Sequence, residues 1–166
     1  MTNRDRAGSR SSIAFLMSQL GTRAAQEFTR LLAPLNLSPS DAGILRLLGR
    51  SPGISQQNLA RALDMHASRL VAVIDALEKA GLVVREPNEN DRRLYSLRLT
   101  DPGNEMLRTL GQLARTHNEI MCAGLNEAER AQLMALLQRV AAQHDLIPGI
   151  HPGYKDLRPP EQAPDE

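Results

Sequence analysis

The stretch that decides the fold runs from Ile54 to Thr100 and reads ISQQNLARALDMHASRLVAVIDALEKAGLVVREPNENDRRLYSLRLT. Two helical patterns occupy its first half, because apolar residues recur there every three or four positions: Leu59, Ala60 and Leu63, then Leu70, Val73, Ile74 and Leu77. Residues 64–66 interrupt the pattern and predict a turn between the two helices. Ser55 is a residue type favoured at helix starts, and Gly81 is favoured just past helix ends.

Two short strands are predicted after Gly81. Residues 83–84 and 97–99 are β-prone runs, and the segment between them, 87–93, combines turn residues with charge. Helix, turn, helix, strand, charged loop and strand is the order of a helix-turn-helix with a wing. Such a unit lays its second helix in a major groove, so the stretch predicts double-stranded DNA as a partner.

A family resemblance becomes specific over these residues. The segments LARALDMHASRLVAVIDALEKAGLVVR, NENDRR and LTDPG resemble the winged-helix core of the MarR family of bacterial regulators. The family's wing carries Asp-x-Arg, then a strand that ends in Leu-Thr, then a Gly. The matching residues here are Asp91, Arg93, Leu99, Thr100 and Gly103. The resemblance covers roughly residues 13 to 144 and leaves both tails outside it.

Composition limits the class of protein. The chain has 166 residues, 42% of them hydrophobic and 23% charged, which predicts one domain or a core with an oligomerisation layer. Aromatic residues make up 2%, so the core must consist of Leu, Ala, Val and Ile. We expect a soluble cytoplasmic protein without a membrane partner, because no apolar run approaches about 18 residues and no secretory signal is evident. The net charge is only +1, but residues 1–50 hold seven arginines against three carboxylates, so one face can still be basic.

Long helices are predicted on both sides of the winged stretch. The expected fold class is mainly α, a winged helix-turn-helix with flanking long helices that form a dimerisation layer. We divide the chain into a flexible N-terminus (1–11), a helical dimerisation region (12–35 and 101–146), a winged helix-turn-helix DNA-binding domain (36–100) and a Pro-rich C-terminal tail (147–166). Ser38 with Pro39, Thr100, and Asn126 with Glu129 predict further helix starts.

The flanking helices carry more apolar residues than a small domain needs. Three seams recur at helical spacing: Ile13, Leu16, Leu20, Ala24, Phe28, Leu31 and Leu35; Leu107, Leu110, Ala114, His117 and Met121; and Leu133, Leu136, Leu137 and Val140. In MarR-like proteins the first and last helices of two chains interlock, so the resemblance implies a homodimer. The alternative is that these helices simply enlarge a monomeric core.

The second helix of the winged stretch presents the candidate DNA contacts. Ser68, Ala72 and Asp75 lie opposite its apolar stripe, with Arg69 and Val71 on the flanks. The full set is His66, Ala67, Ser68, Arg69, Val71 and Ala72. Arg69 can fork onto guanine or grip phosphate, and His66 can cap the helix or touch phosphate. Many family members carry Thr-Arg where this chain has Val71-Ala72, so Arg69 is expected to replace that arginine. The alternative is an ordinary helix with a solvated face.

The loop between the strands is the wing tip, with Asp91, Arg92 and Arg93. By resemblance, Asp91 orients Arg93 into a minor groove while Arg92 binds backbone phosphate. A narrow A·T minor groove attracts such an arginine electrostatically. The alternative is a solvated β-turn that holds a surface salt bridge.

The remaining reactive side chains predict little chemistry. Cys122 is the single cysteine, so it could sense oxidants, but we expect it to be a buried, inert thiol. The four histidines are scattered, which predicts no metal site, and we expect no cofactor. No phosphate loop or nucleophile–base motif points to an enzyme.

These observations predict a sequence-specific DNA-binding transcriptional regulator, and the family resemblance implies a repressor. By resemblance it is a homodimer that binds a palindromic operator and is released by a small-molecule or stress signal. The family's effectors are often small aromatic carboxylates or phenols, and the sequence places no residue of their pocket. The alternatives are a winged-helix protein-interaction module without its own operator, or a redox sensor based on Cys122.

Overall fold

The computed structural model describes residues 12–87, 95–144, 146, 149 and 151. The described elements, in chain order, are α1 (Ile13–Leu32), a 3₁₀ turn (Ala33–Leu35), α2 (Pro39–Arg50), β1 (Ile54–Ser55), α3 (Gln56–Ala62), α4 (Ala67–Lys79), β2 (Val83–Pro87), β3 (Tyr95–Leu99), α5 (Asp101–Met121) and α6 (Glu127–Ala142). The prediction of a mainly α fold with a winged helix-turn-helix is confirmed. The predicted N-terminal segment 1–11 and most of the tail from 147 lie outside the described residues.

Side-chain caps set most of the helix starts. The Ser38 hydroxyl accepts from the Asp41 N–H at 3.2 Å, and the Asp41 carboxylate accepts from the Ser38 N–H at 2.7 Å. This reciprocal pair satisfies two backbone donors that the first turn of a helix leaves unpaired. Asn126 and Glu129 repeat the arrangement at α6, and single caps begin three other helices: Ser12 at α1, Ser55 at α3 and Thr100 at α5. The starts predicted from Ser38, Ser55, Thr100 and Asn126 are confirmed.

Gly81 turns the chain from α4 into the wing. Its φ of +72° lies in the left-handed region, which a residue without Cβ adopts at little cost. The N–H of Gly81 donates to the Glu78 carbonyl and the N–H of Leu82 to the Leu77 carbonyl, both at 2.9 Å. These two bonds close the end of α4 and aim Leu82 back toward the core, where it is buried.

The sheet has three strands in the order β1-β3-β2, all antiparallel. The hairpin of β2 and β3 was predicted, and Val83 pairs with Leu99 at its base. The sequence did not predict β1, in which Ile54 pairs with Leu97. A strand of two residues is too short to show an alternating pattern in the sequence. It is recognised only in the structure, where it pairs with the edge of β3.

The core lies in the winged lobe. Ten side chains are almost completely buried: Leu32, Ile44, Leu45, Leu48, Leu59, Leu63, Leu70, Ile74, Val83 and Leu97. They come from α1 to α4 and from the sheet, and Leu110 of α5 closes the cluster. Leucine, isoleucine and valine dominate it, as the scarcity of aromatic residues predicted.

The outer helices contribute less to this core than their patterns suggested. In α1, the apolar residues of the first half are exposed, and the helix becomes buried only toward Leu32, which has 0% exposure. In α6, no residue is buried within the chain. Within one chain, the first half of α1 and all of α6 therefore leave their apolar seams largely exposed, whereas the end of α1 packs against the core through Phe28 and Leu32.

Among the helices that the structure describes, none combines the length and the apolar character that crossing a membrane would require.

Candidate nucleic-acid interface

Helix α4 has one buried face and one exposed face. Leu70, Ile74 and Leu77 insert into the core, with exposures of 0%, 0% and 3%. Ser68, Val71 and Ala72 lie on the opposite side and are exposed. The helix is therefore held on the lobe by its apolar face. Its other face is exposed, as a helix that enters a DNA groove requires. The predicted orientation of α4 is confirmed, while the DNA contacts of these residues stay a prediction.

His66 occupies the N-cap position of α4, but it does not cap the helix. Its backbone has the extended geometry of a cap, with φ −60° and ψ 136°, and its imidazole makes no capping hydrogen bond. The alternative that His66 caps α4 is thus wrong. An imidazole suits this geometry less well than the short oxygen-bearing side chains that dominate N-caps. The exposed imidazole stands at a helix start, where backbone N–H groups favour anions such as phosphate.

The other candidates on α4 differ in exposure. Ala67 opens the helix and is exposed, and Val71 is 39% exposed. Arg69 is half-buried. The structure therefore brings all six helix candidates to one end of α4, at its first two turns.

The structure adds Arg85, which the sequence did not single out. From β2 its guanidinium donates to carboxylate oxygens of both Asp75 and Glu78 on α4. Its Nε lies 3.4 Å from the side-chain oxygen of Gln56 on α3, and its backbone N–H donates to Glu78 at 3.3 Å. Partial burial opposes the charge of Arg85, but the hydrogen bonds and charges of the two carboxylates outweigh it and raise the pKa of Arg85. The signal in the sequence is spacing, because Arg85 follows Glu78 by seven positions and Asp75 by ten.

The wing strands are described, but their tip is not. Arg98 on β3 pairs with Glu86 on β2 at 3.0 Å, which links the two strands across the hairpin. The predicted tip residues Asp91, Arg92 and Arg93 lie outside the described residues. Their roles therefore stay predictions.

Cys122 departs from its expected environment. It lies just past the last residue of α5 and is half-exposed in the single chain, with its Sγ 3.9 Å from the Asn118 side-chain oxygen. The expectation of a buried thiol is wrong for the chain by itself, because the end of α5 extends beyond the core. Among the described residues, no group of three or more His, Cys, Asp or Glu side chains is placed to hold a metal ion.

A cavity of about 200 Å³ lies between the winged lobe and the long helices. Its lining comes from α1, α2 and α5: Phe28, Ala42, Gly43, Arg46, Leu107, Leu110, Gly111 and Ala114. The walls are mostly apolar, and Arg46 supplies a cation. The Arg46 guanidinium also donates to the backbone carbonyl of Gly149, so a residue from beyond α6 reaches this side of α2.

Comparison with known proteins places this architecture in a family. A sequence profile described as MarR family matches residues 35–94. A protein of Thauera aromatica, whose name assigns it to transcriptional regulation of the hcr operon, is 35% identical over 126 residues, which is 75% of this chain and 76% of that protein. Its alignment extends well beyond the winged lobe.

Solved structures agree with this assignment. The transcriptional repressor CouR, solved bound to a 23-mer DNA duplex, is 31% identical with a TM-score of 0.69, over 78% of this chain and 92% of that one. Apo MarR from E. coli shares the fold with a TM-score of 0.70 at 24% identity, over 78% of this chain and 96% of that one. The chain belongs to the MarR family of winged helix-turn-helix regulators, and it is a DNA-binding transcriptional regulator rather than an enzyme.

Proposed function

We propose that the protein is a homodimeric repressor that binds a palindromic operator through α4 and the wing. The observation that carries this proposal is the geometry of α4. Its apolar face packs into the core, and its first two turns expose Ser68, Val71 and Ala72, with the half-buried Arg69 beside them. A helix held in this way can read base edges from its N-terminal turns. The wing residues Asp91, Arg92 and Arg93 would then contact the flanking minor groove and phosphates.

The apolar surface of the outer helices supports the dimer. A groove of about 720 Å³ runs between the start of α1 and α6, and most of its lining is apolar: Ile13, Met17, Leu133, Leu136, Leu137, Arg139, Val140, Ala142 and Gln143. Monomeric proteins rarely leave so continuous an apolar surface in water. A second copy of the chain presents the same helices, so a twofold axis would cover both surfaces at once.

The cavity beside Arg46 supports release by a small molecule. A volume of about 200 Å³ accepts a ligand with one aromatic ring, and the apolar walls suit such a ring. Arg46 would pair with a carboxylate or phenolate on that ring. Because the cavity lies between the lobe and the long helices, an occupant could change the spacing of two lobes in a dimer.

A binding series with duplex DNA tests the proposal. Footprinting on the DNA that flanks the gene defines the protected site, and fluorescence anisotropy then measures affinity at several salt concentrations. We expect affinity to fall steeply as salt rises, because phosphate contacts release counterions. A salt-independent affinity, or no binding to duplex DNA, would instead favour a protein-interaction module.

Arg69 gives the sharper test of base contact. If Arg69 reads a guanine, Arg69→Ala should cost roughly 1–3 kcal/mol at one base pair of the operator and relax selectivity there. Arg108→Ala is a matched control, because it removes an exposed arginine of α5 whose partner is Glu105 at 3.7 Å. If Arg69→Ala and Arg108→Ala lose equal affinity for the operator, and equal affinity for a scrambled duplex, base contact by Arg69 is excluded.

A further inference from the structure

Helix α4 has no net charge of its own. It carries Arg69 and Lys79 against Asp75 and Glu78. On a helix that enters a DNA groove, a carboxylate is repelled by the phosphates on both sides, and this repulsion is felt within about a Debye length. Two carboxylates on the helix proposed to bind DNA therefore need a compensating cation.

Arg85 is placed to supply this compensation. Its side chain is 18% exposed, whereas those of Asp75 and Glu78 are 58% and 39% exposed. The cation thus lies mainly inside the lobe, and the carboxylates lie nearer the solvent. A planar guanidinium can donate to two carboxylates at once, which a lysine ammonium does with less geometric control. The hydrogen bond that the Arg85 Nε donates to the Gln56 side-chain oxygen, together with the pairing of the β2 backbone, keeps the guanidinium in this position.

We propose that Arg85 masks the two carboxylates of α4 and thereby allows this helix to approach the DNA backbone. Because its side chain is only 18% exposed, Arg85 acts in this proposal through the more exposed Asp75 and Glu78. The inference rests on the proposed function, in which α4 is the helix that docks on DNA. It adds a residue outside the predicted interface that determines how strongly the interface attracts phosphate.

The first measurement compares Arg85→Gln with the wild type on a mixed-sequence duplex of about 30 base pairs, or three helical turns. Masking acts on any phosphate backbone, so the operator is not needed. We expect affinity at low salt to fall by on the order of tenfold, with a smaller difference at high salt, where screening weakens the exposed repulsion. Arg108→Gln removes the same charge at a distance from α4 and should stay within about twofold of the wild type.

The second measurement removes the carboxylates and keeps Arg85. The double variant Asp75→Asn/Glu78→Gln should bind the duplex at least as tightly as the wild type, because the cation remains and the repulsion is gone. Adding these two changes to Arg85→Gln should restore most of the lost affinity. Circular dichroism shows whether each variant is folded. If Arg85→Gln alone does not fold, the double variant, which keeps Arg85, still tests whether the two carboxylates repel DNA.

The outcomes separate the inference from the proposed function. If the wild type shows no salt-dependent duplex binding, both are wrong. If the wild type binds and Arg85→Gln matches Arg108→Gln, only the masking role is wrong. If Asp75→Asn/Glu78→Gln weakens binding as much as Arg85→Gln does, the cluster acts through the geometry of α4 and the masking role is again overturned.

Discussion

Gly103 shows how one residue sets the packing of α5. It lies in the first turn of this helix and is buried. A Cβ at this position would overlap the backbone carbonyl oxygen of Leu82, which cannot move without displacing the start of β2. The glycine that the family resemblance singled out is thus required by close approach of helix and strand.

Gly103→Ala should therefore destabilise the protein, by roughly 1–3 kcal/mol, the cost of overpacking a closed contact. Urea denaturation followed by circular dichroism measures the change. Gly111→Ala in the same helix is the control, because its added Cβ would have no neighbour within 4 Å. That variant should be neutral or stabilising by up to about 1 kcal/mol through helix propensity. Equal stabilities of the two variants would contradict this account.

Glu27 is a buried carboxylate on α1, with 4% exposure. Its Oε1 accepts from the Nε of Arg30 at 3.0 Å, and its Oε2 accepts from Arg23 at 3.2 Å. The hydrogen bond from Arg30 lowers the pKa of Glu27, aided by the charges of Arg30, Arg23 and His117, although burial opposes this effect. The folded protein therefore holds the ionised form more strongly than the unfolded chain does.

Because the pKa of Glu27 is lowered on folding, the unfolded state binds a proton before the folded state does as pH falls. The contribution of Glu27 to stability is therefore fully present above its ordinary pKa of 4.5. It is lost as pH falls through the lower pKa of the folded state. Glu27→Gln should thus reduce the free energy of unfolding at neutral pH and make little difference well below pH 4.5. Urea titrations across this pH range measure it. Glu105→Gln, which breaks the exposed pair with Arg108, should have little effect throughout. A difference that does not depend on pH would rule out the ion pairs as its source.

At the scale of elements, α6 is the helix least supported by its own chain. Leu133, Leu136, Leu137 and Val140 are 38–48% exposed, and no α6 residue is buried. Its capping box fixes where it starts, but a 16-residue helix gains most of its stability from packing. We infer that its packing partner is the second chain.

Leu137→Glu should separate the chains without unfolding the winged lobe. Placing a charge in an apolar interface should raise the dimer dissociation constant by on the order of a hundredfold. Sedimentation over a concentration series measures the association, and near-wild-type circular dichroism verifies the fold. Arg130→Glu in the same helix, outside the groove lining, is the control. A Leu137→Glu protein that sediments like the wild type would place the interface elsewhere.

At the scale of the whole molecule, the proposed twofold axis relates two α4 helices. Two recognition helices on one face of B-DNA require half-sites about one helical turn apart. Inserting about five base pairs between the half-sites rotates one of them to the opposite face. Affinity should then fall to that of a scrambled duplex, as measured by anisotropy. Changing the central base pairs at constant length is the control. An unchanged affinity after insertion would mean that the two lobes bind independently.

The elements of the fold were readable from the sequence because their signals are local. Ser38, Ser55, Thr100 and Asn126 cap helices through atoms three residues away, so each cap and its helix appear in one short window. The apolar stripe of α4 was likewise visible, since one face of a helix repeats every three or four residues. These features predicted the winged helix-turn-helix and the outward side of α4.

Only the tertiary structure decided which surfaces meet. Strand β1 exists because Ile54 reaches Leu97, 43 positions later in the chain. Arg85 finds Asp75 and Glu78 only after Gly81 reverses the chain, and the cavity beside Arg46 needs three helices to enclose it. The apolar periods of α1 and α6 correctly predicted helices. They did not show what covers the apolar faces, because periodicity records that a face avoids water and does not record which molecule covers it.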